Sequence, residues 1–269
     1  MSLWAVTMVK DELDILPFTL QNLYAQGVDG IIVADNMSTD GTWEWLKALA
    51  GAPEQDSLIV VRDEEVGYYQ SRKMSALAQQ AFNLGAEWVI PFDADEYWYS
   101  VAGPDHTIGE TLAVLGPHVT CLAALLFNYF PMEGDNPLEV NPFRRITHRD
   151  PQPARLPKVV VRKAAGAVIE QGNHGVVGAR PAPSPIRVGH FPWRSPRQFE
   201  RKVRNGAAAY RATDLPPEAG AHWRAYGDIL EAQGPDAIHE IFNTWFRSPP
   251  DVEVVRHPVP IHRLARHSA

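Results

Sequence analysis

Apolar runs alternate with helical stripes along the first hundred residues. Leu3-Trp4-Ala5-Val6-Thr7-Met8-Val9 predicts a buried strand. Leu13, Leu16, Leu20 and Leu23 follow at helical spacing, and Gly27 supplies a stop. Gly30-Ile31-Ile32-Val33-Ala34 predicts a second strand, and Leu58-Ile59-Val60-Val61 a third. Met74, Leu77, Ala78, Ala81 and Phe82 form the stripe of a long helix that Gly85 closes. Trp88-Val89-Ile90-Pro91-Phe92 is the next strand. Strands and amphipathic helices in this order predict βαβ units, hence an α/β fold with a mainly parallel sheet flanked by helices.

The second half is less regular. Cys121 to Tyr129 and Lys158 to Arg162 predict further strands, separated by a Pro-rich excursion from Pro131 to Pro157 over the sheet edge. Pro181, Pro183 and Pro185 predict a stiff loop before a short strand, Ile186 to His190. Pro196 to Arg211 reads as a basic helix, and Pro235 to Phe246 as a shorter one. The tail, with His257, His262 and His267 beside Arg256, Arg263 and Arg266, is expected to be a solvated extension. The division expected is 1–210 for the main domain, with a nucleotide-binding half 1–100 and an acceptor half 101–210, and 211–269 for a helical extension and tail.

Composition narrows the function classes. A chain of 269 residues with 45% hydrophobic content can bury a large core. Its net charge of −7 argues against a nucleic-acid partner, which would select a basic surface. One cysteine, Cys121, excludes an intramolecular disulfide framework and fits a reducing cytosol; in its apolar run it reads as a buried, inert thiol. The N-terminus lacks a secretory pattern, and the longest apolar run, Cys121 to Phe127, is too short for a transmembrane segment. A soluble cytoplasmic protein is expected, with peripheral membrane contact through the tail arginines left open.

The chemistry gathers at strand ends. Asp93-Ala94-Asp95-Glu96-Tyr97 follows the fourth strand, and ligands of open α/β sheets collect outside such carboxyl ends. Two carboxylates at i and i+2 in a turn can reach one hard divalent cation. An acidic turn that only ends the strand would look the same. After the second strand comes Asp35-Asn36-Met37-Ser38-Thr39-Asp40-Gly41-Thr42. Asp35 can accept hydrogen bonds from ribose or base, and Asp40 reads as a helix cap.

Together these features resemble the family 2 glycosyltransferases with a GT-A, Rossmann-like fold. The carrying residues are Asp11-Glu12, Asp35 to Thr42, and Asp93-Ala94-Asp95, in order at successive strand ends. Val9-Lys10-Asp11-Glu12, Tyr69-Gln70-Ser71-Arg72-Lys73-Met74 and His190-Phe191-Pro192-Trp193-Arg194-Ser195 are similar to a bacterial branch of small soluble enzymes. The likeness is good over about residues 3–100 and looser to about 210. It implies a nucleoside-diphosphate sugar donor, Mn²⁺ or Mg²⁺ on its diphosphate, and inverting transfer to a carbohydrate or other hydroxyl acceptor. By position, Glu12 and Asp35 would hold the nucleoside, Asp93 and Ala94 the donor, and Asp95 the metal, with Asp93 able to contact ribose or metal. Gln70 and Lys73 could touch base or phosphate, although a solvated helix face fits Lys73 equally.

Enzymes of this kind often complete the metal site from far downstream, and His190 is the candidate; a half-buried histidine bonded to backbone is the alternative. Arg194, Arg197, Arg201 and Lys202 could neutralise the departing diphosphate. The catalytic base has no clear motif. Glu170 and His174 are the candidates, with Glu133 and Asp135 the other pair. Tyr97, Trp98 and Tyr99 could stack on a sugar or belong to the core. Two rival functions are a sugar-phosphate nucleotidyltransferase and a non-catalytic nucleotide-sugar-binding protein. The first normally needs a Gly-rich loop where Thr7 to Glu12 has no glycine.

Overall fold

The computed structural model describes residues 1–52, 57–103, 105–164, 166–249 and 252–261. In chain order the elements are β1 (Leu3–Val9), α1 (Leu16–Ala25), β2 (Gly30–Asp35), α2 (Thr42–Ala50), β3 (Leu58–Arg62), α3 (Gln70–Asn83), β4 (Trp88–Pro91) and β5 (Glu96–Ser100). There follow α4 (Ile108–Ala113), β6 (Cys121–Phe130), α5 (Pro142–Arg145), β7 (His148–Arg149), β8 (Lys158–Arg162) and β9 (Ala182–His190). The C-terminal part holds α6 (Pro196–Arg211), α7 (Ala221–Gln233), α8 (Pro235–Ile241), a π-helical turn (Phe242–Phe246) and β10 (Val255–Arg256).

The sheet runs β10-β7-β6-β8-β4-β1-β2-β3, and β9 joins β6 to β5. Strands β3, β2, β1 and β4 are mutually parallel, as their alternation with helices predicts. Both faces of this parallel part are covered, which explains its unbroken apolar runs. Leu3, Ala5, Ile31 and Val33 face the core of α1 and α2, whereas Val6, Ile32 and Ala34 face Met74, Ala78 and Phe82 of α3. Gly30 is required by packing: a Cβ there would lie 2.6 Å from the Trp4 ring.

Four expectations change. Tyr97, Trp98 and Tyr99 are buried in β5, so these rings are core and not a sugar platform. The proline segment 183–185 lies inside β9, where the pairing with β6 shifts register between Ala123 and Leu125, an irregularity that tolerates missing ladder donors. Val255–Arg256 is not solvated tail but pairs with β7. His262, Arg263, Arg266 and His267 lie outside the described residues. Finally, the helical extension holds a further helix, α7, of 13 residues between the two helices expected from the sequence.

Helices α6, α7 and α8 share a small core of Phe199, Val203, Leu230, Ile238 and Phe242. Antiparallel α6 and α7 approach closely because Gly206 lies against the Trp223 ring and Gly227 against Ala207. This unit covers the carboxyl ends of β1, β2 and β4.

Candidate functional site

Between that helical unit and the sheet edge lies a cavity of about 630 Å³. Lys10, Asp11, Glu12 and Asn36 line it after β1 and β2, and Asp93, Ala94 and Asp95 after β4. His190, Asn128 and Pro192 close the floor, while Lys202, Asn205 and Tyr210 of α6 and His222, Trp223 and Tyr226 of α7 form the wall.

The two aspartates have different surroundings. Asp93 Oδ1 accepts from Gln70 Nε2 and Asn173 Nδ2, both at 3.1 Å, and Oδ2 from Lys158 Nζ at 2.7 Å. Lys158 is itself buried and also bonds Glu96 at 2.7 Å and the Gly172 carbonyl at 2.7 Å. Glu96 Oε2 accepts from Asp93 N–H and Trp98 Nε1–H. Burial pushes the Glu96 carboxyl up, against the pull of Lys158. Asp93 is thereby pinned in place by residues from α3, β8 and the loop at 171–173.

Asp95 instead faces the cavity floor. The Lys202 ammonium pairs with its Oδ2, and Arg194 Nη1 lies 3.8 Å away. Burial raises its pKa, but the positive neighbours, led by Lys202, outweigh that and hold the carboxyl far below its usual range. His190 reaches it through strand pairing: His190 sits opposite Glu96 in β9–β5, and Phe191 N–H donates to the Asp95 carbonyl at 2.8 Å. His190 Nδ1 lies 2.8 Å from Asn128 Oδ1, and its Nε2 lies 3.6 Å from Asp95 Oδ1. Since Asn128 Oδ1 accepts, Nδ1 carries the proton and the Nε2 lone pair faces the carboxylate. Burial, only partly offset by Asp95, lowers the imidazole pKa to about 4, so the ring is neutral.

Two lone pairs facing each other across 3.6 Å fit one divalent cation. Among the described residues no cluster of three or more His, Cys, Asp or Glu side chains converges on a metal position. Asp95 and His190 are therefore the protein donors on offer, and a diphosphate and water would have to supply the remainder.

The other expected site residues fall into two groups. Glu12 lines the cavity, with its carboxylate held by Arg194. Arg194 is buried and spends its donors on Glu12, Asp14 and the Phe191 carbonyl, so it knits the β1 loop to the segment after β9. Asp35 is fully buried and does not line the cavity; its Oδ2 takes Ser38 N–H and Arg62, and its Oδ1 has no partner among the described residues. Lys73 is tied to Asp63 at 2.6 Å, away from the cavity lining. Gln70 bridges Asp93 to Gly172 N–H. Glu170 is exposed and His174 bonds the Pro157 carbonyl at 2.8 Å; neither lines the cavity. Glu133 and Asp135 do not line it either.

Sequence reading missed Lys158, Asn205 and His222, and Asp11 carried no role there beyond its place in the Asp11-Glu12 motif. Asp11 has φ 56°, a left-handed conformation aspartate tolerates, and accepts from Thr39 N–H at 2.6 Å and Asn205 Nδ2 at 2.8 Å. A lysine opening the apolar run Lys158-Val159-Val160-Val161 was the available signal for a buried charge partner.

Residues 4–101 match the model of glycosyl transferase family 2. The matched segment is the one that brings Lys10 to Glu12, Asn36 and Asp93 to Asp95 to the cavity. No curated protein matches the chain. Among solved structures, S. aureus TarS 1–349 in complex with UDP-GlcNAc is similar at 15% identity and TM-score 0.43, over 90% of this chain and 73% of that one. The Pyrobaculum calidifontis mannosyltransferase PcManGT, in complex with GDP-Man and Mn²⁺, is similar at 16% identity and TM-score 0.43, over 88% and 71%. Against S. aureus TarS the figures are 14%, 0.42, and 87% of this chain, which spans 44% of that protein. Among the described residues no helix is long and apolar enough to cross a membrane.

Proposed function

We propose that this chain, with its glycosyl transferase family 2 region over residues 4–101, transfers a sugar from a nucleoside-diphosphate sugar to an acceptor hydroxyl with inversion, using Mn²⁺ or Mg²⁺. The observation that carries this reading is Asp95 Oδ1 facing His190 Nε2 at 3.6 Å on the floor of the cavity. A divalent cation held there would act as a Lewis acid for the leaving diphosphate. The chain's own groups position and neutralise. Lys158, Gln70 and Asn173 grip Asp93 and so fix the turn that presents Asp95. Lys202 and Arg201 line the same cavity and offer positive charge to the diphosphate. Asn36 lines the cavity after β2 and marks the nucleoside end; Asp35, buried and outside the lining, orders that turn through Ser38 N–H. A cytoplasmic setting belongs to this reading, and the buried, unpaired Cys121 is in keeping with it.

The test is nucleoside-diphosphate release from UDP-GlcNAc, UDP-glucose and GDP-mannose, with and without Mn²⁺, in wild type and Asp95→Asn. Release that needs both Mn²⁺ and Asp95 supports the reading. Turnover indifferent to a chelator and to the substitution sinks the metal assignment. A chain that neither binds nor turns over any donor sinks the transferase reading.

A further inference from the structure

We propose that His222 on α7 is the general base that takes the proton of the acceptor hydroxyl, with Trp223 and Tyr226 as the acceptor's platform. This rests on the glycosyl-transfer reading above.

Inverting transfer needs a proton acceptor on the cavity wall with a free lone pair. The carboxylates lining the cavity are all engaged. Asp11 serves Thr39 and Asn205, Glu12 serves Arg194, Asp93 serves Lys158, and Asp95 serves Lys202. His190 turns its Nε2 to Asp95. His222 lines the same cavity, is exposed to it, and makes no hydrogen bond or ion pair among the described residues. It shares the cavity with Lys202 and Arg201 of α6 and with Asp11, Glu12 and Asp95 of the sheet edge. Partial burial first, and then the Lys202 ammonium, lower its pKa from 6.5, so the imidazole is neutral and able to accept.

The helix that carries it is seated by packing. The His222 ring lies 4.7 Å from the Trp223 ring, and Trp223 packs on Gly206 of α6. Tyr226 stands one turn further along the same face and also lines the cavity. Aromatic faces beside a base suit an acceptor that offers C–H surface next to its hydroxyl, such as a sugar ring. The acceptor oxygen forms its bond to the anomeric carbon while the bond from that carbon to the diphosphate oxygen breaks. The bonding pair leaves on the nucleoside diphosphate, and the hydroxyl proton passes to an imidazole nitrogen. Being exposed, the imidazolium returns that proton to water.

The full-length chain is assayed with the three sugar nucleotides above, with water and with octyl and p-nitrophenyl glycosides as acceptors. His222→Gln should lower kcat by about 10²–10⁴, with nucleoside-diphosphate affinity changed by less than about twofold. Added imidazole should restore part of the rate in His222→Ala, which a merely structural role would not give. A kcat within about threefold of wild type, or donor affinity lost in parallel with kcat, overturns the assignment. Turnover that survives in His222→Gln but vanishes in Asp95→Asn overturns this base alone. A wild type inert toward every donor overturns the transferase reading and the base with it.

Discussion

The Lys158 ammonium lies 2.7 Å from Asp93 and ties the start of β8 to the acidic turn after β4. With only 4% of its side chain exposed, it also bonds the fully buried Glu96, so one buried cation holds both the half-buried Asp93 and Glu96. The consequence is a division of labour. Asp93 spends its oxygens on Lys158, Gln70 and Asn173, and Asp95 turns Oδ1 to His190 Nε2.

Lys158→Met should be strongly destabilising, because it leaves Asp93 and Glu96 together without their cation. Breaking a buried pair by removing one partner costs about 3–5 kcal/mol. Urea unfolding reads this directly, and an unchanged midpoint would show that water or rearrangement satisfies the carboxylates.

Asp93→Asn and Asp95→Asn should separate stability from metal binding. The first lowers the unfolding midpoint while Mn²⁺-dependent binding of a nucleoside diphosphate persists. The second abolishes that binding, whatever stability is lost when Lys202 and Arg194 give up a carboxylate partner. Calorimetric titration and thermal melts on both variants decide the matter. Equal loss of metal-dependent binding in the two would mean that Asp93 coordinates directly.

Much of this was legible in the sequence, and the parts that were not share a cause. Strands β1 to β4 are covered on both faces, so their apolar runs announce them, and a carboxylate after each run marks the site edge. Asp95 and His190 could be named because each ends a strand. Their pairing could not, since it depends on β9 lying beside β5 across 95 residues of chain. Arg194 looked free in the sequence, but its partners Glu12 and Asp14 come from 180 or more residues away. Helix α7 is hard to read because Gly227, a poor helix former, interrupts the stripe of Trp223, Tyr226 and Leu230, and its close packing is specified by α6. Glu170 and His174 are an acid and an imidazole in a loop after a strand, which is all that the sequence shows of them. Loop residues carry no periodicity to say which way they face.

The close contact of α6 with α7 supplies a test of helix position. A Cβ on Gly227 would sit 2.4 Å from the Ala207 Cβ. Gly227→Val should therefore push α7 outward at a cost of about 1–3 kcal/mol from overpacking. His222 and Trp223 would move with it, so the transfer rate should fall while nucleoside-diphosphate affinity holds. A melting temperature and rate both equal to wild type would show that the helices separate freely.

The pH profile should carry the field of Lys202. Protonated His222 cannot accept, so kcat/KM should fall as pH drops through the His222 pKa of the free enzyme. Burial and Lys202 both disfavour the imidazolium, which puts that acid limb below 6.5. Lys202→Met removes the second cause and leaves the first. The limb should then shift upward toward 6.5 without passing it, whatever happens to the absolute rate when the diphosphate loses a cation. His222→Gln should remove the limb altogether. Profiles of kcat/KM for the three proteins over about pH 4–9 read the order of the limbs. A limb that stays in place in Lys202→Met would remove Lys202 as the source of the shift, and one that persists in His222→Gln would assign the proton to another group.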